Sequence, residues 1–224
     1  MCGRFTLFAP YYEIIERFDI ESAFPESDYI PSYNIAPSQQ VVAIINDGRK
    51  NRLGGLRWGL IPPWAKDEKI GCKMINARAE TVAEKPSFRK AFQKQRCILP
   101  ADSFYEWQRK DGKKIPMRIK MKTDELFAIA GLWESWQSPD GKVIYTCTAI
   151  TTEPNDLMEP IHDRMPVILK REDEAAWLNP RIDDVDFLGN MLRPFDENQM
   201  DAYSVSSAVN SPKNNEASLI APVC

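Results

Sequence analysis

Cys97-Ile98-Leu99-Pro100-Ala101-Asp102-Ser103-Phe104-Tyr105-Glu106-Trp107 is the stretch on which the fold turns. Its two apolar runs, Cys97–Leu99 and Phe104–Gln108, are too short for helices and read as strands. Downstream, Pro116–Lys120, Leu126–Trp133, Val143–Ile150 and Met165–Leu169 read the same way, with turns at Asp111-Gly112 and Asp140-Gly141. Upstream, Val41–Ile45 and Leu53–Trp58 flank a hairpin turn at Asp47-Gly48. Helical spacing is confined to Tyr11–Phe18, about Thr81–Gln95, Glu172–Leu178 and Val185–Met191. Pro25, Pro31 and Pro37 make residues 24–40 an extended loop, and residues 59–75 form a second loop bearing proline and tryptophan. Short strands and a few helices that do not alternate regularly imply α+β, built on a mostly antiparallel sheet or barrel.

The chain has 224 residues, 43% hydrophobic and 27% charged, the balance of an ordinary globule. No apolar run approaches the ~18 residues of a membrane span, so an unanchored cytoplasmic protein is expected. Cys2, Cys72, Cys97, Cys147 and Cys224 are odd in number and widely spaced, which favours reduced thiols over a disulfide framework. With one histidine, His162, and neither C-x-x-C nor H-E-x-x-H, no metal is expected. Glycine-rich phosphate loops are absent too, and no cofactor is expected.

The net charge of −3 conceals a strong asymmetry. Residues 49–122 carry 20 basic against 7 acidic side chains, whereas residues 123–224 carry 7 against 18. The basic segment is interleaved with Trp58, Trp64, Phe88, Phe92, Phe104, Tyr105 and Trp107. Two readings follow: a face for a polyanion, or a basic segment neutralised by its acidic flanks.

The second residue carries unusual chemistry. Removal of Met1 would leave Cys2 with an α-amine of pKa about 7.7–8.0 beside a thiol of about 8.5. Such a 1,2-aminothiol adds to an aldehyde, loses water to an imine and closes through sulfur to a thiazolidine. Position alone leaves a second reading open, a small buried hydrophobe near a chain end. Proton transfer would need help. Glu106, flanked by large apolar residues, would titrate in a useful range if it faced inward, and would be ordinary facing solvent. His162 is the sole imidazole, structural or catalytic. Asn76 either orients an oxygen or turns the chain.

Taken in order, these segments resemble one family, the SOS response-associated peptidase (SRAP) proteins. The matching stretches are Met1-Cys2-Gly3-Arg4-Phe5, Tyr33-Asn34-Ile35-Ala36-Pro37, Trp58-Gly59-Leu60-Ile61-Pro62, Ile75-Asn76-Ala77-Arg78-Ala79-Glu80-Thr81, the opening Cys97–Trp107 stretch, Ile161-His162-Asp163-Arg164-Met165-Pro166 and Val209-Asn210. The resemblance implies a single α+β domain over residues 1–224, with a β-barrel-like core flanked by short helices. It also implies covalent attachment to abasic sites in single-stranded DNA, including single/double-strand junctions, by a monomer that associates with the nucleoid when crosslinked. Weak strand cleavage through the imine and autocatalytic removal of Met1 would accompany it.

On this resemblance Cys2 is the nucleophile, and Asn76 positions the sugar. Glu106 moves protons, while His162 stabilises the abasic sugar and acts as acid or base. Arg4, Asn34, Arg78 and Arg164 become DNA contacts, with Pro37 and Trp64 stacking on bases or wedging the strand, core packing being the other reading of Trp64; Arg89 joins them only by its place in the basic helix. Two departures from the family pattern stand out: Ala65, where some relatives place a second aromatic, and Ser103, where glycine is common. Two other functions compete, a thiol peptidase using Cys2 and a non-catalytic reader of modified bases.

Overall fold

The computed structural model describes residues 2–223; Met1, with the expectation of its removal, and Cys224 lie outside the described residues. In chain order the elements are β1 (Phe5–Leu7), α1 (Tyr11–Arg17), β2 (Ser22–Ala23), β3 (Ser32–Ile35), β4 (Gln40–Asn46), β5 (Asn51–Trp58), β6 (Asn76–Arg78) and α2 (Arg89–Lys94). Then follow β7 (Arg96–Ala101), β8 (Ser103–Lys110), β9 (Lys113–Met121), β10 (Phe127–Gln137), β11 (Val143–Thr152), β12 (Met165–Pro166), α3 (Arg171–Leu178), α4 (Val185–Gly189) and β13 (Met200–Ser204).

Strands β5, β4, β7, β10 and β11 are antiparallel neighbours, and β11 closes back on β5 through parallel pairs Thr146↔Arg57 and Cys147↔Trp58. The result is a five-stranded barrel, mixed at its seam, which removes most of the edges an open sheet would expose. A second sheet runs β13-β9-β8-β1-β3. The stretch quoted first is the crossing between the two: β7 belongs to the barrel, β8 to the second sheet, and Asp102 is the corner. The Asp102 carboxylate accepts the Phe8 N–H at 2.5 Å, and its own N–H donates to the Thr6 carbonyl at 3.0 Å, fastening β1 to the corner. Edge-on packing of Phe5 against Trp58, with ring centres 5.2 Å apart, then joins β1 to the barrel.

β8 explains the opening motif. Successive side chains of a strand point to opposite faces. Phe104 belongs to the main core, whereas Tyr105 and Trp107 pack with Val205, Val209 and Leu219 in a second cluster under the C-terminal segment. Both faces are covered, so the run is continuously hydrophobic and Glu106 shares the inward face of Phe104.

The helix expected over Thr81–Gln95 shrinks to Arg89–Lys94, preceded by a 3-10 turn at Ala79–Thr81 and further turns. Pro86 is the cause: it lacks an N–H and forces the preceding residue out of helical geometry. The proline-bearing loop over 24–40 contains β3, which pairs with β1 as Phe5↔Ile35. Of the strand expected at Met165–Leu169, only Met165–Pro166 pairs regularly, while Ile168 makes an isolated bridge to Ile129.

Candidate active site

Four residues distant in sequence meet where β1 begins. Cys2 is 1% exposed. Asn76 comes from β6, laid parallel to β11 with Asn76 opposite Ala149. The long connection from β5 to β6 is held by a close backbone crossing, where a Cβ on Gly59 would lie 2.8 Å from the Gly71 carbonyl oxygen. Gly59 also has φ +130, so glycine is required there twice over. The outcome is that Asn76 Nδ2 donates to the Cys2 carbonyl oxygen at 2.8 Å, while its buried Oδ1 has no hydrogen-bond partner among the described residues.

Glu106 is 2% exposed on β8. Burial pushes its carboxyl up to about 7, and the nearby Asp163 charge adds to the rise. His162 stands beyond it at the end of a turn-rich segment, with Nε2 3.8 Å from Glu106 Oε2. That segment is tied to β8 by Gln108 Nε2 donating to the Pro160 carbonyl oxygen at 3.1 Å. Nδ1 of His162 accepts the Arg164 N–H at 3.1 Å and lies 3.0 Å from Asp163 Oδ1. Burial lowers the imidazole pKa, the adjacent Asp163 charge opposes it, and the Arg109 charge adds only slightly to the lowering. The Cys2 thiol is pushed well above its ordinary value by burial and by the charge of Glu106. Both influences favour the thiol over the thiolate.

Expected DNA contacts divide into exposed and engaged groups. Arg78, two residues from Asn76, and Arg89, the first residue of α2, are exposed, and Trp64 is 58% exposed. The loop carrying Trp64 is pinned by Trp136 Nε1, which donates to the Ala65 carbonyl oxygen at 2.8 Å. Pro37 is half-buried just after β3. Arg4 is half-buried, with Nη1 donating to Asn34 Oδ1 and to the Val209 carbonyl oxygen, both at 2.6 Å. Arg164 makes a two-pronged pair with Glu80, at 2.7 and 3.1 Å, and donates to the Thr151 carbonyl oxygen.

Asn34, also expected to contact DNA, is engaged within the protein. It is 1% exposed, and its amide nitrogen lies within hydrogen-bond reach of the carbonyl oxygens of Val209, Ser211 and Asn214. Its side chain latches the C-terminal segment and does not face outward. Glu80, the partner of Arg164, was not singled out by sequence. Its only signal there was its place in the Ile75–Thr81 stretch, four residues after Asn76.

Among the described residues no group of three or more His, Cys, Asp and Glu side chains is arranged to hold a metal ion. No helix among the described residues is long and apolar enough to cross a membrane. Cys2, Cys97 and Cys147 are buried free cysteines and Cys72 is an exposed one.

Comparison with known proteins gives a consistent answer. The family model described as SOS response associated peptidase (SRAP) matches residues 1–212. The abasic site processing protein YoqW of Bacillus subtilis is 66% identical over 221 residues, covering 98% of this chain and 99% of that protein. The abasic site processing protein HMCES of Xenopus tropicalis is 30% identical, over 87% of this chain and 67% of its own length. A crystal structure of a Bacteroides thetaiotaomicron protein superposes with a TM-score of 0.90 at 30% identity, covering all of both chains.

Proposed function

The chain belongs to the SOS response associated peptidase (SRAP) family, and on that footing we propose that it captures abasic sites in single-stranded DNA covalently, through the α-amine and thiol of Cys2 after Met1 is removed. The supporting observation is the convergence of Asn76, Glu106 and His162 on the start of β1, with the Asn76 amide 2.8 Å from the Cys2 carbonyl oxygen. Similarity to abasic site processing proteins of bacteria and vertebrates supports the abasic site as the substrate.

The α-amine attacks the aldehyde carbon of the ring-opened sugar to give a carbinolamine. Glu106, with its carboxyl near 7, donates a proton to the departing hydroxyl, which leaves as water. The imine carbon then takes the Cys2 sulfur while the thiol proton passes to Glu106, closing the thiazolidine. One water is lost in all, and Glu106 ends as it began. His162, holding its Nε2 proton near Glu106, steadies the sugar oxygen during ring opening. The amine acts first because the thiol is held neutral by burial. For the same reason a thiolate-first peptidase is the weaker reading, and self-processing at the Met1–Cys2 amide is the extent of peptidase action assigned here.

Intact-protein mass spectrometry with a single-stranded oligonucleotide bearing one abasic site tests this. The expected product is a heat-stable one-to-one adduct on Cys2, lighter by one water than the sum of its parts. Absence of the adduct from protein shown to lack Met1 would overturn the proposal.

A further inference from the structure

The β8–β9 hairpin sets like charges face to face. Its antiparallel register pairs Arg109 with Lys114 and Lys110 with Lys113. Directly opposed like charges destabilise a strand pair, and here two such pairs are adjacent. All four side chains are exposed. Among the described residues none of the four forms an ion pair, although Lys120 further along β9 pairs with Asp124 at 2.6 Å. The Asp111-Gly112 turn at the tip, with φ values of 50 and 73, holds the two strands in this register.

The arm springs directly from the site. Its base is fixed by Trp107 Nε1 donating to Asn210 Oδ1 at 2.7 Å and by Gln108 donating to the Pro160 carbonyl oxygen of the His162 segment. Glu106 and Lys110 lie on one strand, four residues apart, which at about 3.3 Å per residue is about 13 Å. A ligand running from the site along β8 would reach these charges and match them by carrying closely spaced negative charge.

We infer that this arm is a phosphate grip. Its cations, Lys110 and Lys113 on the face of Glu106 and Arg109 and Lys114 on the opposite face, hold the sugar–phosphate backbone of the flanking strand as it wraps the tip of the hairpin. At the 3.4 Å per nucleotide of a stacked strand, about 13 Å places the grip about four nucleotides from the reacting sugar. This inference rests on the DNA reading above and adds a location and a length to it. The acidic surplus of residues 123–224 offers another occupant, the face of a second copy of the chain. Continuity with the site favours the nucleic acid.

The test uses a K110Q/K113Q/K114Q variant of the full chain, leaving Arg109 in place because of its effect on His162. Non-covalent affinity is measured for a single strand carrying a reduced, unreactive abasic site, across a range of salt. The variant should bind roughly tenfold more weakly at low salt, with a log–log salt slope shallower by about two, since each lost phosphate contact on a single strand removes about 0.7. Cutting both flanks to two nucleotides should shrink the difference from wild type below twofold. The melting temperature should hold or rise, because repulsion across the hairpin is relieved. An unchanged salt slope, a difference that survives on short flanks, or a wild-type dimer that dissociates in the variant would each overturn the grip. Failure of the underlying reading would look different: wild-type protein lacking Met1 would form no adduct with reactive abasic DNA.

Discussion

The backbone N–H of Arg164 donates to Nδ1 of His162 at 3.1 Å. A neutral imidazole that accepts at Nδ1 carries its proton on Nε2, which faces Glu106 Oε2 at 3.8 Å, and the Arg164 N–H holds this tautomer against the pull of Asp163 Oδ1, 3.0 Å from Nδ1. The same arginine is clasped by Glu80, so one residue ties the His162 segment to the segment that follows Asn76. Because His162 is the only histidine, its nitrogen resonances report this arrangement without ambiguity. The neutral ring should show the Nε2–H tautomer and titrate below the ordinary ~6.5. A folded-state pKa depressed in this way means the unfolded chain binds the proton more readily. The contribution to stability is therefore present at neutral pH and lost on acidification through the lowered value. Glu80→Gln should cost no more than about 1 kcal/mol, its carboxylate being half exposed, yet give a mixed-tautomer spectrum. An unchanged tautomer would show that Thr151 alone suffices to hold Arg164.

Glu106 should trade stability for reactivity. Its carboxyl is raised from 4.5 to about 7 by burial. Below the unfolded value it is protonated in both states and costs nothing; as pH rises through 7 the folded state must bury a charge. That shift corresponds to about 3 kcal/mol. Glu106→Gln should therefore be more stable than wild type at pH 8, by up to that amount, and nearly equal to it at pH 4. Thermal unfolding at the two pH values checks this, and equal stability at pH 8 would mean the carboxyl is well solvated. In parallel, adduct formation by wild type should be bell-shaped in pH. It should peak between the Glu106 value near 7 and that of the Cys2 amine near 8, and Glu106→Gln should lose the bell.

The barrel strands and the site were legible in the sequence for different reasons. Strands β4, β5, β7, β8, β9, β10 and β11 announce themselves by apolar runs and Asp-Gly turns, and the structure mainly lengthens them. By contrast β3, β6 and β13 are hidden. Ser32–Ile35 sits among prolines, Asn76–Arg78 is three residues long, and Met200–Ser204 owes its extension to pairing with β9. Such pairing is tertiary and leaves little local signal. Glu106 was recognisable as a candidate because large apolar side chains flank it. Its inward face follows only once both sides of β8 are known to be covered. Asn34 gives the complementary case, since nothing local in the sequence signals its carbonyl partners 175 to 180 residues away.

Arg96 looks like part of the basic face but is a strut. It is 3% exposed and donates to five carbonyl oxygens, those of Phe92, Gln93, Trp177, Asn179 and Ile182, at 2.5 to 2.9 Å. Two of these belong to α2, and Trp177 lies in α3, so one guanidinium joins both helices to β7. Burial lowers its pKa to about 10, still high enough to keep the charge at neutral pH. Lysine offers three donors in place of five and no planar fork. Arg96→Lys should therefore cost about 2–4 kcal/mol in chemical denaturation while leaving the salt dependence of DNA binding untouched. A shallower salt slope would return Arg96 to the DNA face.

Asn34 should hold the C-terminal segment in place. Its Oδ1 takes the Arg4 guanidinium, and its amide serves the carbonyls of Val209, Ser211 and Asn214, so β3 is bound at once to the residue two places after Cys2 and to the far end of the chain. Asn34→Asp keeps the shape and the Arg4 partner but replaces two donated hydrogens with a negative oxygen facing three carbonyls. Unsatisfied and opposed buried polar groups of this kind cost about 1–3 kcal/mol each. The substitution should therefore destabilise more than Asn34→Ala, which removes the donor without adding repulsion. Hydrogen exchange should quicken over residues 207–214 first, with the barrel strands still protected, because the segment is attached to the barrel chiefly through the second sheet. If the barrel loosens while 207–214 stays protected, the Tyr105 cluster alone carries the latch, and Asn34 serves only to seat Arg4.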